Sequence, residues 1–194
     1  MRKDLEEKKS NNKIIREKII GKKLILRPLK ISDYSDKYLG WLNDPDVNSY
    51  LETRFEKQNK NLIENFLKKI QQSDNSILFG IFLKKNNLHI GNIKIGPINW
   101  NHLSSDVSYF IGDKKFWGKG LATGAVKLVT NFAFRKLNLN KCTAGVYSGN
   151  IPSKKVLENA GYKMEAILKS HLKNKNDWQD RLLYGALQKE FLKN

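Results

Sequence analysis

Apolar residues recur along this chain in two rhythms, and their alternation sets the order of the elements. KLILRPL (23–29) reads as a first strand with Pro28 near its end, followed by Ser32 or Asp33 as the cap of a helix carrying Tyr34, Tyr38, Trp41 and Leu42. The turn-rich run NDPDVNSYLETRF breaks that helix. A helical period resumes over Asn61–Ile70, at Leu62, Phe66, Leu67 and Ile70. The middle of the chain then changes to strand periodicity. ILFGIFL (77–83), a KNN turn and LHIGNIKIGPI (88–98) predict an antiparallel hairpin, and SSDVSYFIG (104–112) predicts the next strand. In that strand Asp106, Ser108 and Phe110 share one face, with Val107, Tyr109 and Ile111 on the other. Leu121–Leu137 is the strongest helix, with Ala125, Leu128, Val129 and Phe132 at helical spacing. KCTAGVY (141–147) is a strand, and Pro152 opens a short helix over Ser153–Asn159 that Gly161 ends. YKMEAIL (162–168), a polar connection and RLLYGAL (181–187) close the chain as two more strands.

This order predicts a mixed α/β (α+β) fold. A length of 194 residues suits one domain, taken as 21–194 and preceded by a charged, frayed or helical extension over 1–20, whose Ile14-Ile15 and Ile19-Ile20 pairs are suited to docking on the body. That extension lacks an apolar signal core, and no apolar run approaches the ~18 residues of a membrane span, so a cytoplasmic protein without a membrane partner is expected. The single Cys142 cannot form an internal disulfide and fits a reducing compartment. The formal charge of +17 favours polyanionic partners such as nucleic acid, the ribosome or a phosphorylated cofactor. Drift toward AT-rich codons would produce the same lysines, which are spread among asparagines and isoleucines, and the two readings stay open.

The candidate chemistry centres on Lys115-Phe116-Trp117-Gly118-Lys119-Gly120-Leu121-Ala122-Thr123. Two glycines one residue apart let the backbone turn tightly at the start of a helix, whose first-turn N–H groups form an anion site. The run from Gly112 is one residue too long for the Walker loop and lacks its Ser/Thr, while Thr123 stands where the dinucleotide fingerprint needs a third glycine. An ordinary glycine-rich turn is the other reading.

The loop and the element order together resemble the GNAT superfamily of acetyl-coenzyme A-dependent N-acetyltransferases, over residues 23–192. K-F-W-G-K-G is similar to the family's R/Q-x-x-G-x-G/A coenzyme loop, with Lys115 in the Arg/Gln place, and N-I-P-S-K-K-V-L-E-N-A-G-Y is similar to its second motif. The opening KLILRPLKISDY and the ending WQDRLLYGALQKEF resemble the RimJ/RimL-like branch, which acetylates ribosomal-protein N-termini, polyamines, antibiotics and amino sugars. The resemblance implies a mostly antiparallel sheet of six to seven strands, flanked by helices and splayed at the coenzyme site after a bulge in the strand 104–112. It implies acetyl-coenzyme A as co-substrate, with Phe110 and Ile111 along pantetheine. Lys115, Trp117, Gly118, Lys119, Gly120, Leu121, Ala122 and Thr123 would surround the phosphates, and Asn150 and Ser153 would lie on the other side. Taken alone, Asn150 is an ordinary turn residue.

Acetyl transfer from a thioester to an amine needs a neutral amine, a stabilised oxyanion and a proton for the thiolate. Asp106 is the candidate for the base, or else a solvated or salt-bridged strand-end aspartate. The family's usual tyrosine acid is absent, because Leu157 stands in its place. Ser153, which could also simply cap its helix, and Tyr147 are the candidate acids. The oxyanion falls to a strand N–H near Phe110. Tyr50, Glu52, Arg54 and His171 are candidates for holding an acceptor, each with a plain surface role as the alternative. His89 and His102 carry no assigned chemistry, Cys142 reads as packing, and no cluster has metal-site spacing. The expected acceptor is a small amino-sugar-type metabolite. A ribosomal-protein N-terminus, a polyamine, an aminoglycoside or a non-catalytic coenzyme-binding or ribosome-associated role remain alternatives, with a monomer or homodimer as the assembly.

Overall fold

The protein is described here by a computed structural model, over residues 14–174 and 177–193. Eight strands form one sheet: β1 (Ile19–Ile20), β2 (Leu24–Pro28), β3 (Ile77–Leu83), β4 (His89–Asn99), β5 (Ser104–Ile111), β6 (Lys141–Tyr147), β7 (Lys163–Asn174) and β8 (Asp177–Leu187). Their spatial order is β1-β2-β3-β4-β5-β6-β8-β7, antiparallel throughout except at β5–β6. The helices are α1 (Asp36–Asn43), α2 (Pro45–Asn48), α3 (Lys60–Gln71), α4 (Leu121–Arg135), α5 (Ile151–Asn159) and α6 (Gln188–Phe191).

Alternate residues of β3 feed opposite layers, as the two-residue strand period requires. Phe79 and Ile81 join the core that includes Val126 and Val129 of α4 and Leu157 of α5, whereas Leu78 and Phe82 join Trp41 of α1 and Ile63 and Leu67 of α3. Both faces of β3 are therefore covered, which explains why it reads as an unbroken apolar run.

Four local expectations are corrected. The sheet has eight strands because Ile19 and Ile20, placed in the extension, pair with Leu26 and Ile25. Ile14 also packs on the core, and Arg16 donates to the Ile70, Ser73 and Ser76 carbonyls, while residues 1–13 lie outside the described residues. The cap of α1 is Ser35, whose Oγ accepts from Tyr38 N at 3.1 Å; Asp33 is instead bound by Arg27, at 2.7 and 2.8 Å, and by the Lys30 amide. In α3 Ile63 turns inward and Phe66 is exposed. The last hairpin is longer than its apolar pattern, because residues read as a polar connection continue β7 and β8 by pairing with each other.

His89, given no chemistry from sequence, packs against the second core. Its ring stacks on Phe82 at 4.7 Å and meets Trp41 edge-on at 5.1 Å. Nε2 faces two acceptors, the Gly91 carbonyl at 3.0 Å and Asn92 Oδ1 at 2.8 Å, so it carries the proton of the neutral ring. Burial lowers the His89 pKa from its ordinary 6.5, more than those bonds and Asp33 raise it. The unfolded chain then binds the extra proton first, so His89 contributes stability above pH about 6.5 that is lost as pH falls through the folded value. The urea midpoint is expected to drop on acidification from about pH 7 to pH 5. His89→Gln should flatten part of that drop, and an unchanged pH slope would exclude His89 as its source.

Candidate functional site

The site is built where β5 and β6 part. Their parallel ladder runs through Ser104–Lys141, Ser105–Cys142 and Asp106–Thr143 and ends there, although β5 continues to Ile111 and β6 to Tyr147. Beyond Asp106, β5 is paired only on its β4 side, so a wedge with a backbone edge opens toward β6. A bulge sits at this point. Between the pairs Ile95–Val107 and Ile98–Ser105, Gly96 and Pro97 of β4 stand against Asp106 alone. The extra residue thus belongs to β4 and not to the strand 104–112, where it was expected.

The loop after β5 is held at both of its ends. Gly112 lies under Trp41, where any Cβ would come within 2.1 Å of the indole. The Asp113 carboxylate takes Lys37 Nζ at 2.8 Å, and Lys114 Nζ lies between Asp44 and Asp46, at 2.9 and 2.8 Å, which ties the loop to α1 and α2. Trp117 donates its indole N–H to the Ile111 carbonyl at 2.7 Å. Gly118 and Gly120 have φ of 70° and 69°, and a Cβ at either would meet no atom within 4 Å, so there is open space beside both glycines. Gly120 caps α4 without a side-chain acceptor, leaving the Leu121, Ala122 and Thr123 amides available to an anion. Lys115 and Lys119, with no ion pair among the described residues, flank that opening; Lys119 Nζ lies 5.4 Å from the Phe116 ring centre. Phe110 packs edge-on to Trp41, and Ile111 is buried.

Across the wedge, Asn150 rather than Ser153 caps α5, its Oδ1 accepting from Ser153 N at 3.2 Å. That leaves the Ser153 hydroxyl for another bond. Tyr109 of β5 reaches over to it, with Tyr109 OH 2.8 Å from Ser153 Oγ and 3.1 Å from the Ser153 carbonyl. Burial pushes the Tyr109 pKa well above its ordinary 10, against a smaller lowering by Ser153. Leu157, where the resemblance expects a tyrosine, is fully buried one turn further on. By strand alternation Tyr109 shares a face with Val107 and Ile111, and no sequence motif gives it a role. Its only advance signal was that this face is the one turned toward α5.

On the opposite face the acceptor candidates converge. Tyr147 OH receives Arg54 Nη2 at 2.7 Å and donates to Glu52 Oε1 at 3.1 Å; its pKa is raised by burial first and by Glu52, with Arg54 acting the other way. Arg54 also binds the Leu51 and Lys173 carbonyls, and the Tyr50 ring lies 5.5 Å from that of Tyr147. Gln179 of β8 completes the group by accepting from Gly149 N at 3.1 Å, a contact that no sequence pattern indicated. Tyr147, a candidate acid from sequence, is thus grouped with Tyr50, Glu52 and Arg54. His171 is exposed on β7 and is not joined to this group among the described residues. Asp106 accepts from Thr143 Oγ1 at the apex of the wedge. Thr143 and Tyr147 share a face of β6 four residues apart, so Asp106 and the Tyr147 group are separated by about 13 Å along the strand.

Among the described residues no three His, Cys, Asp or Glu side chains are grouped to hold a metal, and no helix is long and apolar enough to cross a membrane. Cys142 is buried, which pushes its thiol pKa up to about 12 and fits a packing role.

A family model described as an acetyltransferase (GNAT) domain matches residues 23–163. The chain is 30% identical over 174 residues to "Probable N-acetyltransferase YjcK" of Bacillus subtilis, covering 86% of this chain and 95% of that one. Its fold is similar to that of a GNAT-family acetyltransferase from Bacillus anthracis, with a TM-score of 0.78 and 22% identity over 89% of this chain and 99% of the other. It is also similar to a spermidine N-acetyltransferase from Vibrio cholerae in complex with CoA and spermine, with a TM-score of 0.79 and 23% identity over 89% and 99% of the two chains.

Proposed function

The chain belongs to the GNAT acetyltransferase family and is an N-acyltransferase, and on that premise we propose that it acetylates the primary amine of a small amino-sugar-type metabolite by direct attack in a ternary complex. Enzymes of this family use acetyl-coenzyme A, which supplies the acetyl group as a thioester. The observation that carries the reading is the wedge between β5 and β6, which ends at an open glycine turn with uncapped helix amides. An amide-bearing arm can add to the unpaired β5 edge as a strand would, while the Leu121–Thr123 amides, with Lys115 and Lys119, receive a pyrophosphate. Trp117 steadies the turn through the Ile111 carbonyl.

The two proton-handling groups face the wedge from opposite sides of the sheet. Asp106, on the acceptor face, takes a proton from the incoming ammonium, directly or through one water. Ser153, on the α5 face, passes a proton to the departing sulfur and takes one back from solvent, and the Tyr109 hydroxyl orients it. A β5 N–H near Phe110 serves the carbonyl oxygen. At the mouth, Glu52 attracts the cationic amine and Arg54 orients a second polar or anionic group.

A polyamine acceptor is the second reading, favoured by the fold shared with the spermidine enzyme. Charge argues against it. A polycation would approach a protein of net charge +17, and the Glu52 carboxylate tied into the mouth group shares Tyr147 with Arg54. Thiol release from acetyl-coenzyme A should be followed across hexosamine phosphates, nucleotide-linked amino sugars, spermidine and N-terminal peptides. Turnover is expected with a single-amine, anionic sugar and not with spermidine. The reverse result would establish the polyamine reading, and coenzyme binding without turnover on any acceptor would favour a non-catalytic role.

A further inference from the structure

A cleft of about 450 Å³ lies outside the wedge and is walled by Lys22, Lys23, Lys84 and Lys85 over Leu83 and Leu121. We propose that it binds a phosphomonoester, the 3′-phosphate of the coenzyme, so that the protein distinguishes coenzyme A from its dephosphorylated form. This rests on the coenzyme reading of the Lys115–Thr123 loop.

Three observations carry it. The cleft adjoins that loop, because Leu121 is both the first residue of α4 and part of the cleft wall. The first turns of α4 lie over the start of β2: a Cβ on Gly124 would be 3.6 Å from Leu24, and Gly21 lies against Leu128. Next, the lysines are held together by the fold. The Lys84 amide donates to the Lys23 carbonyl at 2.9 Å, continuing the ladder past the pair Leu24–Leu83, so that the lysine pair just before β2 and the lysine pair just after β3 stand side by side. Finally, the cleft is lined by no acid, and among the described residues none of the four is in an ion pair, whereas Lys37, Lys114, Lys136, Lys141, Lys163 and Lys169 all are.

Four neighbouring ammonium groups without a counter-charge repel one another, and a bound dianion relieves that repulsion. A phosphomonoester carries about −1.5 to −2 at pH 7. The coenzyme places such a group on its ribose, close to the pyrophosphate, and Leu83 and Leu121 offer the sugar and base an apolar floor. The bounded volume beside a single helix end suits this group better than a long polyanion.

Calorimetric titration of the full chain with coenzyme A and with dephospho-coenzyme A tests the assignment. The wild type should prefer coenzyme A about tenfold, and more at low salt. The doubles Lys84→Gln/Lys85→Gln and Lys22→Gln/Lys23→Gln should each reduce that ratio toward about one and leave dephospho-coenzyme affinity unchanged. Equal wild-type affinity for the two ligands overturns the proposal, as does an equal weakening of both ligands in the variants. If neither ligand binds the wild type, the loop reading fails instead. A short RNA that is bound through these lysines, with no 3′-phosphate preference, would assign the cleft to nucleic acid and also overturn it.

Discussion

Replacing Gly118 and Gly120 together by valine should weaken coenzyme binding at least about 100-fold while the protein remains folded. Both glycines lie in the left-handed region, at φ of 70° and 69°, where a β-branched residue is strained by about 1–2 kcal/mol. The strain alone would be tolerated by a domain with an extensive core. Because an added Cβ meets no protein atom within 4 Å, the new side chains would project into open space beside the loop to which the pyrophosphate is assigned. Isothermal titration with coenzyme A measures the effect, and a melting curve lowered by only a few degrees separates it from unfolding. Alanine at the same positions should fall between the two. Coenzyme affinity unchanged by the valines would remove the phosphate assignment.

Asp106→Asn is expected to lower kcat/KM about 100-fold near pH 7, with a deficit that shrinks as pH rises. An alkylamine with a pKa of ~10 is almost wholly protonated near neutrality, so a carboxylate that removes the proton matters most there. As the solution itself deprotonates the amine, the asparagine variant should recover toward wild type. The Thr143 hydroxyl can still bond the amide, so the wedge should keep its shape and coenzyme affinity should hold. A wild-type-to-variant rate ratio that stays constant from pH 7 to pH 9 would show that Asp106 has only a structural part. On the other side of the wedge, Ser153→Ala should lower kcat without this pH-dependent recovery, since its proton goes to the sulfur and not from the amine.

The legible part of the site was the part written in contiguous residues. The loop Lys115–Thr123 and the run Asn150–Tyr162 each carry their own glycines, caps and helix starts, so their conformations follow from local rules. Of the acceptor candidates, Tyr50, Glu52 and Arg54 each contact Tyr147, and His171 does not join them among the described residues. Their meeting with Tyr147, however, joins residues 93 to 97 positions apart, and the bond from Arg54 to the Lys173 carbonyl spans 119. Tyr109–Ser153 spans 44 and was missed altogether. Contacts of this kind depend on which strand lies beside which, a relation that periodicity within one strand does not encode.

By itself the sequence determined the alternation of strands and helices, the turn at Gly118 and Gly120 and the apolar faces that meet in two cores, because each is set by a few neighbouring residues and the period of the backbone. Only the tertiary structure decided that β5 and β6 part after Asp106, that Tyr109 reaches Ser153, and that the end of β7 and start of β8 are strands. In the last case polar residues such as Lys173, Asn174 and Asp177 have little strand preference and are held extended by the partner strand across the ladder. The Lys22, Lys23, Lys84 and Lys85 cleft belongs to the same class: unremarkable lysine pairs 61 residues apart become one charged wall because the Lys84 amide finds the Lys23 carbonyl.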